Sequence, residues 1–272
     1  MPTDANRAPQ SATADALSCW ALALVQADSW EAKLRPPAAP APGPERPEST
    51  AVRWTRPGRP PGLEVIDRAP RAPRPQAVRQ PEGRLRLLHT FWHHELQAAE
   101  LFAWAIAAFP HTPPEFRRGL ARLALEELDH AAGYAELMAR DGHRPGDLPV
   151  RDWFWQRIPA ARTPEEFLAR LGLGFEGANL EHAERYAEAF REAGDEQAAV
   201  FLDRLAADEE RHVRFSVHWF ERFTGGLDFD RWRACLAPLS PTVMRGAELA
   251  WAARTRAGFD GAFLDALADW DG

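Results

Sequence analysis

The sequence predicts an all-α protein: a four-helix bundle with one long crossover, preceded by a helix and a Pro/Arg-rich arm and followed by accessory helices. Three observations predict it. Apolar residues recur at steps of three and four along four long segments, cap signals bracket those segments, and the connections between them run short, long, short. With 272 residues, 45% of them hydrophobic, the chain can bury one sizeable core.

The first element is an amphipathic helix within 1–34. Its stretch 17–25 is apolar enough to imitate a secretion signal, but Asp4 and Asp15 precede it, Arg7 is the lone basic residue before it, and no clean cleavage pattern follows. Over 35–82 prolines and arginines alternate with small residues, which favours an extended or polyproline arm, read as a wrapped, solvated linker. The bundle occupies 83–226. Its first helix spans 83–109 and stops before Pro110; Thr112 and Pro113 supply an N-cap and a first-turn proline for a second, which ends near Asp141 and Gly142. About twenty irregular residues follow, including Trp153, Phe154 and Trp155. Thr163, Pro164 and Glu166 then make a capping box for the third helix. That helix ends at Gly194, Asp195 caps the fourth, and Gly225 and Gly226 stop it. One long crossover between two antiparallel hairpins is the ferritin-like connection. Shorter helices over 227–272, one capped by Ser240 and Pro241, complete the chain.

Composition excludes several function classes. A net charge of -7 and a pI near 5.8 give no reason to expect nucleic acid as a partner. Cys19 and Cys235 lie far apart without metal or redox spacing, so two free thiols and a reducing cytoplasm are expected. No apolar run has the length of a membrane span. Basic charge rests almost wholly on arginine, with Lys33 the single lysine.

On the second helix Phe116, Leu120, Leu123, Glu127, His130, Tyr134 and Leu137 form one buried stripe, interrupted by an acid and an imidazole. On the fourth, Ala198, Leu202, Leu205, Glu209, His212, Ser216 and Trp219 repeat the steps and the interruption. Both interruptions read Glu-x-x-His. A lone carboxylate in a core costs several kcal/mol or takes up a proton, and a divalent cation is the partner that resolves this. Glu and His three residues apart project from one helical face and offer an oxygen and a nitrogen to metal. One such motif is expected by chance roughly once in a chain of this composition; two, each centred on an apolar stripe, are not.

An internal repeat points to the remaining ligands. Glu95 lies 32 residues before Glu127 and Glu176 lies 33 before Glu209. Glu95 aligns with Leu88, Phe91, Ala98 and Phe102, and Glu176 with Leu173, Leu180, Ala183 and Phe190, so both face the core. The predicted metal set is Glu95, Glu127, His130, Glu176, Glu209 and His212. Its four negative charges balance two divalent cations. A second acid follows each repeat glutamate by five residues, Glu100 and Glu181, so the two hairpins read as copies of one unit.

The pattern Glu, Glu-x-x-His, Glu, Glu-x-x-His resembles the ferritin-like di-iron carboxylate superfamily. The segments HHELQAAELFAW, LALEELDH, FEGANLEHAERY and LAADEERHVRF look like a bacterial ferritin-like family known only as a domain of unknown function, number four-five-five. The likeness covers about 88–223. A more distant resemblance is to the tRNA hydroxylase acting on isopentenylated adenosine. These resemblances imply a di-metal fold, with a small or nucleoside-type substrate suggested by the distant one.

Glu100 is read as a support around the ligands rather than an extra ligand, with Glu181 left as support, extra ligand or part of an exposed face; Tyr134, one turn beyond His130, is read as a plain core tyrosine, with one-electron chemistry or a hydrogen bond to a metal-bound oxygen as the functional alternative. His93, His94 and His182 flank ligand glutamates but point to other faces. The leading functional expectation is an oxygen-dependent oxidase or monooxygenase using two iron ions, dioxygen and an external electron donor, with a manganese and iron pair left open by ligand type. The alternatives are a ferroxidase or iron-handling protein without organic substrate, and a metal-free ferritin-like scaffold.

Overall fold

A computed structural model describes residues 15–41, 50–68, 73–246 and 248–271. Asp4, Arg7 and the arm positions 42–49 and 69–72 lie outside the described residues. The helices run in the order α1 (Ala16–Gln26), α2 (Trp30–Leu34), α3 (Pro81–Ala108), α4 (Pro114–Arg140), α5 (Pro164–Phe167), α6 (Glu176–Glu192), α7 (Glu196–Thr224), α8 (Phe229–Leu236), α9 (Trp251–Ala257) and α10 (Gly261–Ala268). The described residues contain no β-strand beyond an isolated bridge between Val65 and Val150. No helix among them is long and apolar enough to cross a membrane.

The chain forms two compact units. The first comprises Met1–Ala69, Trp92–Ala132 and Pro145–Pro159. Here Asp15 caps α1 through the Ser18 N–H at 2.8 Å and also takes both guanidinium nitrogens of Arg117, at 2.6 and 3.0 Å. The helix buries Leu17, Trp20, Ala21, Leu24 and Val25, because its apolar residues recur on one side. The arm then crosses this helix closely: the Gly58 N–H donates to Val25 O at 2.9 Å, and a Cβ on Gly58 would stand 2.3 Å from the Gln26 carbonyl oxygen. Backbone cannot step aside as a side-chain tip can. Gly58→Ala is therefore expected to cost about 1–3 kcal/mol, read as a lowered urea midpoint; an unchanged midpoint would show that the crossing is slack.

The second unit comprises Pro70–Phe91, Gly133–Arg144 and Ala160–Gly272. Gly194, at φ 80°, closes α6, and Asp195 caps α7 by accepting the Ala198 N–H at 3.1 Å. Asp195 also binds both terminal nitrogens of Arg140, at 2.9 and 2.6 Å. Gly225, at φ 82°, ends α7. The C-terminal helices pack an aromatic group of Phe229, Trp232, Phe259, Phe263 and Trp270.

Two local expectations are corrected. Thr112 does not cap the second long helix, which starts at Pro114; its hydroxyl donates instead to Phe109 O at 2.8 Å, satisfying a carbonyl at the end of α3. The third helix is not α-helical throughout. Thr163 does cap it, with Glu166 reaching back to the Arg162 N–H at 3.0 Å, but Leu168–Phe175 is π-helical before α6 resumes at Glu176. The Trp232 indole donates to Ala169 O at 3.2 Å, engaging a carbonyl of this widened stretch from outside. Gly172 fits against Ser216, whose hydroxyl oxygen would lie 2.1 Å from a Cβ there.

Candidate metal centre

In the first unit, α3 presents Glu95 and α4 presents Glu127 and His130, all buried, at 4%, 0% and 5% exposure. His130 Nδ1 lies 3.2 Å from Glu127 Oε2 and 3.9 Å from Glu95 Oε2. One ligand atom from each of the three falls within 4.8 Å of the others. The three-residue spacing on α4 puts acid and imidazole on one face, as the sequence requires. Two carboxylates held this close, away from water, repel one another unless a cation or proton joins them.

In the second unit, α7 presents Glu209 and His212, both fully buried, with His212 Nδ1 3.8 Å from Glu209 Oε2. The Ser216 hydroxyl donates to the His212 carbonyl at 3.0 Å, so Gly172, Ser216 and His212 are linked through one tight contact. Glu176 is the first α-helical residue after the π-helical stretch, 1% exposed, and accepts the Asn179 amide at 3.1 Å. Asn179 orients this carboxylate and was not foreseen; its only sequence signal is the i, i+3 spacing from Glu176. π-Helical turns of this kind recur beside functional residues because the inserted residue re-aims the side chains that follow.

The supporting residues fall into three different settings. Glu100, fully buried, accepts from Lys33, Arg59 and the Trp155 indole. Burial alone would raise its carboxyl, but the two cations outweigh that and hold it below the ordinary range. Glu181 binds Arg254 through two nitrogens, at 2.6 and 2.7 Å. Tyr134 is a buried ring set edge-on against Phe201, with centroids 5.0 Å apart, and tilted against Phe91. The arm is not simply a solvated linker: its Arg59 pairs with the buried Glu100, beside Lys33 of α2, which is itself 0% exposed.

The flanking histidines also have defined partners. His94 stacks on Phe154 with centroids 5.0 Å apart. His93 accepts at Nδ1 from the Gln97 amide at 3.1 Å, which leaves its proton on Nε2, 3.4 Å from Asp152. Gln97 in turn accepts the Phe154 N–H at 3.0 Å, so this face of α3 clamps the middle of the long connection. His182 lines a cavity of about 460 Å³ together with Glu181 and Glu184.

Asp152 carries a pH signature. Burial would push its carboxyl up, but His93 and the Arg59 guanidinium, 2.6 Å away, outweigh this and bring it down to about 2 from 3.8. A carboxyl depressed in the folded state contributes stability that is present above the unfolded value and lost as pH falls through the folded one. Asp152→Asn is therefore expected to weaken the protein at neutral pH and to converge with the wild type as pH drops from 3.8 towards 2. Unfolding midpoints across that window check it; a constant gap would remove the assignment.

A model of the family described as "Protein of unknown function (DUF455)" matches residues 13–265. The chain belongs to that family. No curated protein and no solved structure matches it. The match takes in the arm and the C-terminal helices as well as the ligand-bearing segments, so for DUF455 the extensions are part of the family's own domain. In this DUF455 chain two carboxylates and an imidazole gather in the core of the first unit, a donor set suited to borderline divalent metals such as iron, manganese or zinc. Lys33, Arg59, Asp152, Asn179 and Arg254 are the residues around these acids that sequence reasoning missed.

Proposed function

We propose that Glu95, Glu127, His130, Glu176, Glu209 and His212 together hold two metal ions in a ferritin-like four-helix bundle, and that the protein is an oxygen-dependent oxidoreductase. The observation that carries this reading is the buried gathering of Glu95, Glu127 and His130, with one ligand atom of each within 4.8 Å of the others. The donors fit the group: four carboxylates neutralise two divalent cations, and mixed oxygen and imidazole ligation favours iron over calcium or magnesium. A manganese and iron pair satisfies the same donors.

Iron bound there would supply the one-electron chemistry that oxidation by dioxygen requires. The chain's own residues do the rest. Asn179 holds the Glu176 carboxylate by its Oε2, Ser216 and Gly172 fix the turn carrying His212, and the aliphatic and aromatic side chains of the stripes exclude water. An external electron donor completes a monooxygenase cycle, and a small or nucleoside-type molecule is the substrate class suggested by the distant resemblance. The test is oxygen consumption by iron-loaded protein supplied with a reductant. A chain that binds iron and never consumes oxygen contradicts the oxidoreductase reading, and a large cage storing many irons per chain replaces it with iron handling.

A further inference from the structure

The internal repeat places a second acid five residues after each ligand glutamate, and the two copies use it alike. In the first unit Glu100 takes Lys33 Nζ at 2.9 Å, Arg59 Nη1, and the Trp155 indole at 2.7 Å. Lys33 spends its other two donors on the carbonyls of Leu24 and Val25, at 3.0 and 2.9 Å, so its ammonium is fully satisfied. In the second unit Glu181 takes Arg254 Nε and Nη2, and also the backbone N–H groups of Gly246 and Ala250, each at 3.0 Å. Arg254 Nη2 bonds further to Met244 O at 2.6 Å and Gly177 O at 3.1 Å. Both Lys33 and Arg254 are 0% exposed.

The parallel extends to the backbone. On each cation-bearing segment a glycine permits a close passage, over the end of α1 in the first unit and over Glu181 itself in the second. A Cβ on Gly58, next to Arg59, would stand 2.3 Å from Gln26 O, and one on Gly246 would stand 2.8 Å from Glu181 Cβ. The cations come from opposite ends of the chain: Lys33 and Arg59 precede the repeat and Arg254 follows it.

We propose that Glu100 and Glu181 are matched cation sockets, one per repeat copy, each shaped for a guanidinium or ammonium group and each filled in cis by a terminal extension. A buried ion pair adds little net stability over an apolar packing of the same shape, but it penalises any arrangement in which its charges do not meet. The sockets thus fix where the arm and the C-terminal segment dock, and each governs only its own extension. This does not depend on metal binding: it rests on ion pairs within each unit.

The test uses the full-length chain and two variants, Arg59→Ala and Arg254→Ala, followed by native-state hydrogen exchange with and without methylguanidinium at concentrations well below denaturing. Arg254→Ala is expected to accelerate exchange over 241–268 and leave 15–63 at the wild-type rate; Arg59→Ala is expected to do the reverse. Methylguanidinium should restore most of the lost protection in each, while sodium at equal ionic strength should not. Should Arg254→Ala fail to fold, Arg254→Lys keeps the charge but loses the fork, and is expected to loosen 241–268 alone. Loosening of both extensions by either variant, or protection that methylguanidinium does not restore, overturns the proposal.

Discussion

Glu100→Ala is expected to lower stability by about 3–5 kcal/mol, the cost of leaving buried cations without their counter-charge. Lys33 and Glu100 are both 0% exposed, and Arg59 is 13% exposed, so water cannot replace the lost carboxylate at Lys33. Arg59 keeps Asp152 at 2.6 Å, which softens the loss on that side. Against a typical folding stability of about 5–15 kcal/mol, the loss is a large fraction of the total. Denaturant unfolding of the wild type and the variant measures it, and a double-mutant cycle with Lys33→Met isolates the pair: once the ammonium is gone, removing Glu100 should cost much less. A loss below about 1 kcal/mol would place the interaction among exposed pairs and contradict the burial on which this account of the N-terminal extension depends.

The second large effect concerns the ligands. Ferrous iron offered anaerobically is expected to stabilise the wild type by about 2.7 kcal/mol at a metal concentration near a hundred times the dissociation constant. Glu127→Ala should abolish that increment. The same substitution should leave the metal-free protein at least as stable as metal-free wild type, because Glu127, His130 and Glu95 crowd two carboxylates around one imidazole and removing one acid relieves their repulsion. Thermal unfolding of both proteins, stripped and loaded, reads both halves. A Glu127→Ala protein that gains as much from iron as the wild type would show that the metal binds elsewhere.

Much of the local structure was legible because it is written in short-range spacing. The predicted ends of the first long helix, 83–109, fall within two residues of α3, Pro81–Ala108, and Asp195 caps α7 as its position before an apolar stripe implies. Burial of Glu95, Glu127, His130, Glu176, Glu209 and His212 was legible for the same reason: each replaces an apolar residue on a stripe that faces inward. The π-helical stretch was not. Every residue of Leu168–Phe175 is buried, so there is no polar face whose displacement would reveal an inserted residue.

The ion pairs of the arm and the C-terminal segment were also hidden. Arg59 meets Glu100 across 41 residues and Arg254 meets Glu181 across 73, distances at which sequence spacing carries no geometric information. The hints were indirect: a single lysine in an arginine-rich chain, and a second acid at the same offset in both repeat copies. From the sequence Glu100 reads as a support around the ligands and Glu181 stays open between support, ligand and exposed charge, and only the structure joins them to Lys33, Arg59 and Arg254.

Metal content of the natively purified chain, measured beside Glu127→Ala and His212→Ala, tests the central claim most directly. The account predicts about two iron or manganese ions per wild-type chain and a substantial loss in each variant, with all three proteins folded. A folded wild type that neither retains these metals nor takes them up when they are offered anaerobically, or variants that keep the wild-type content, would contradict it.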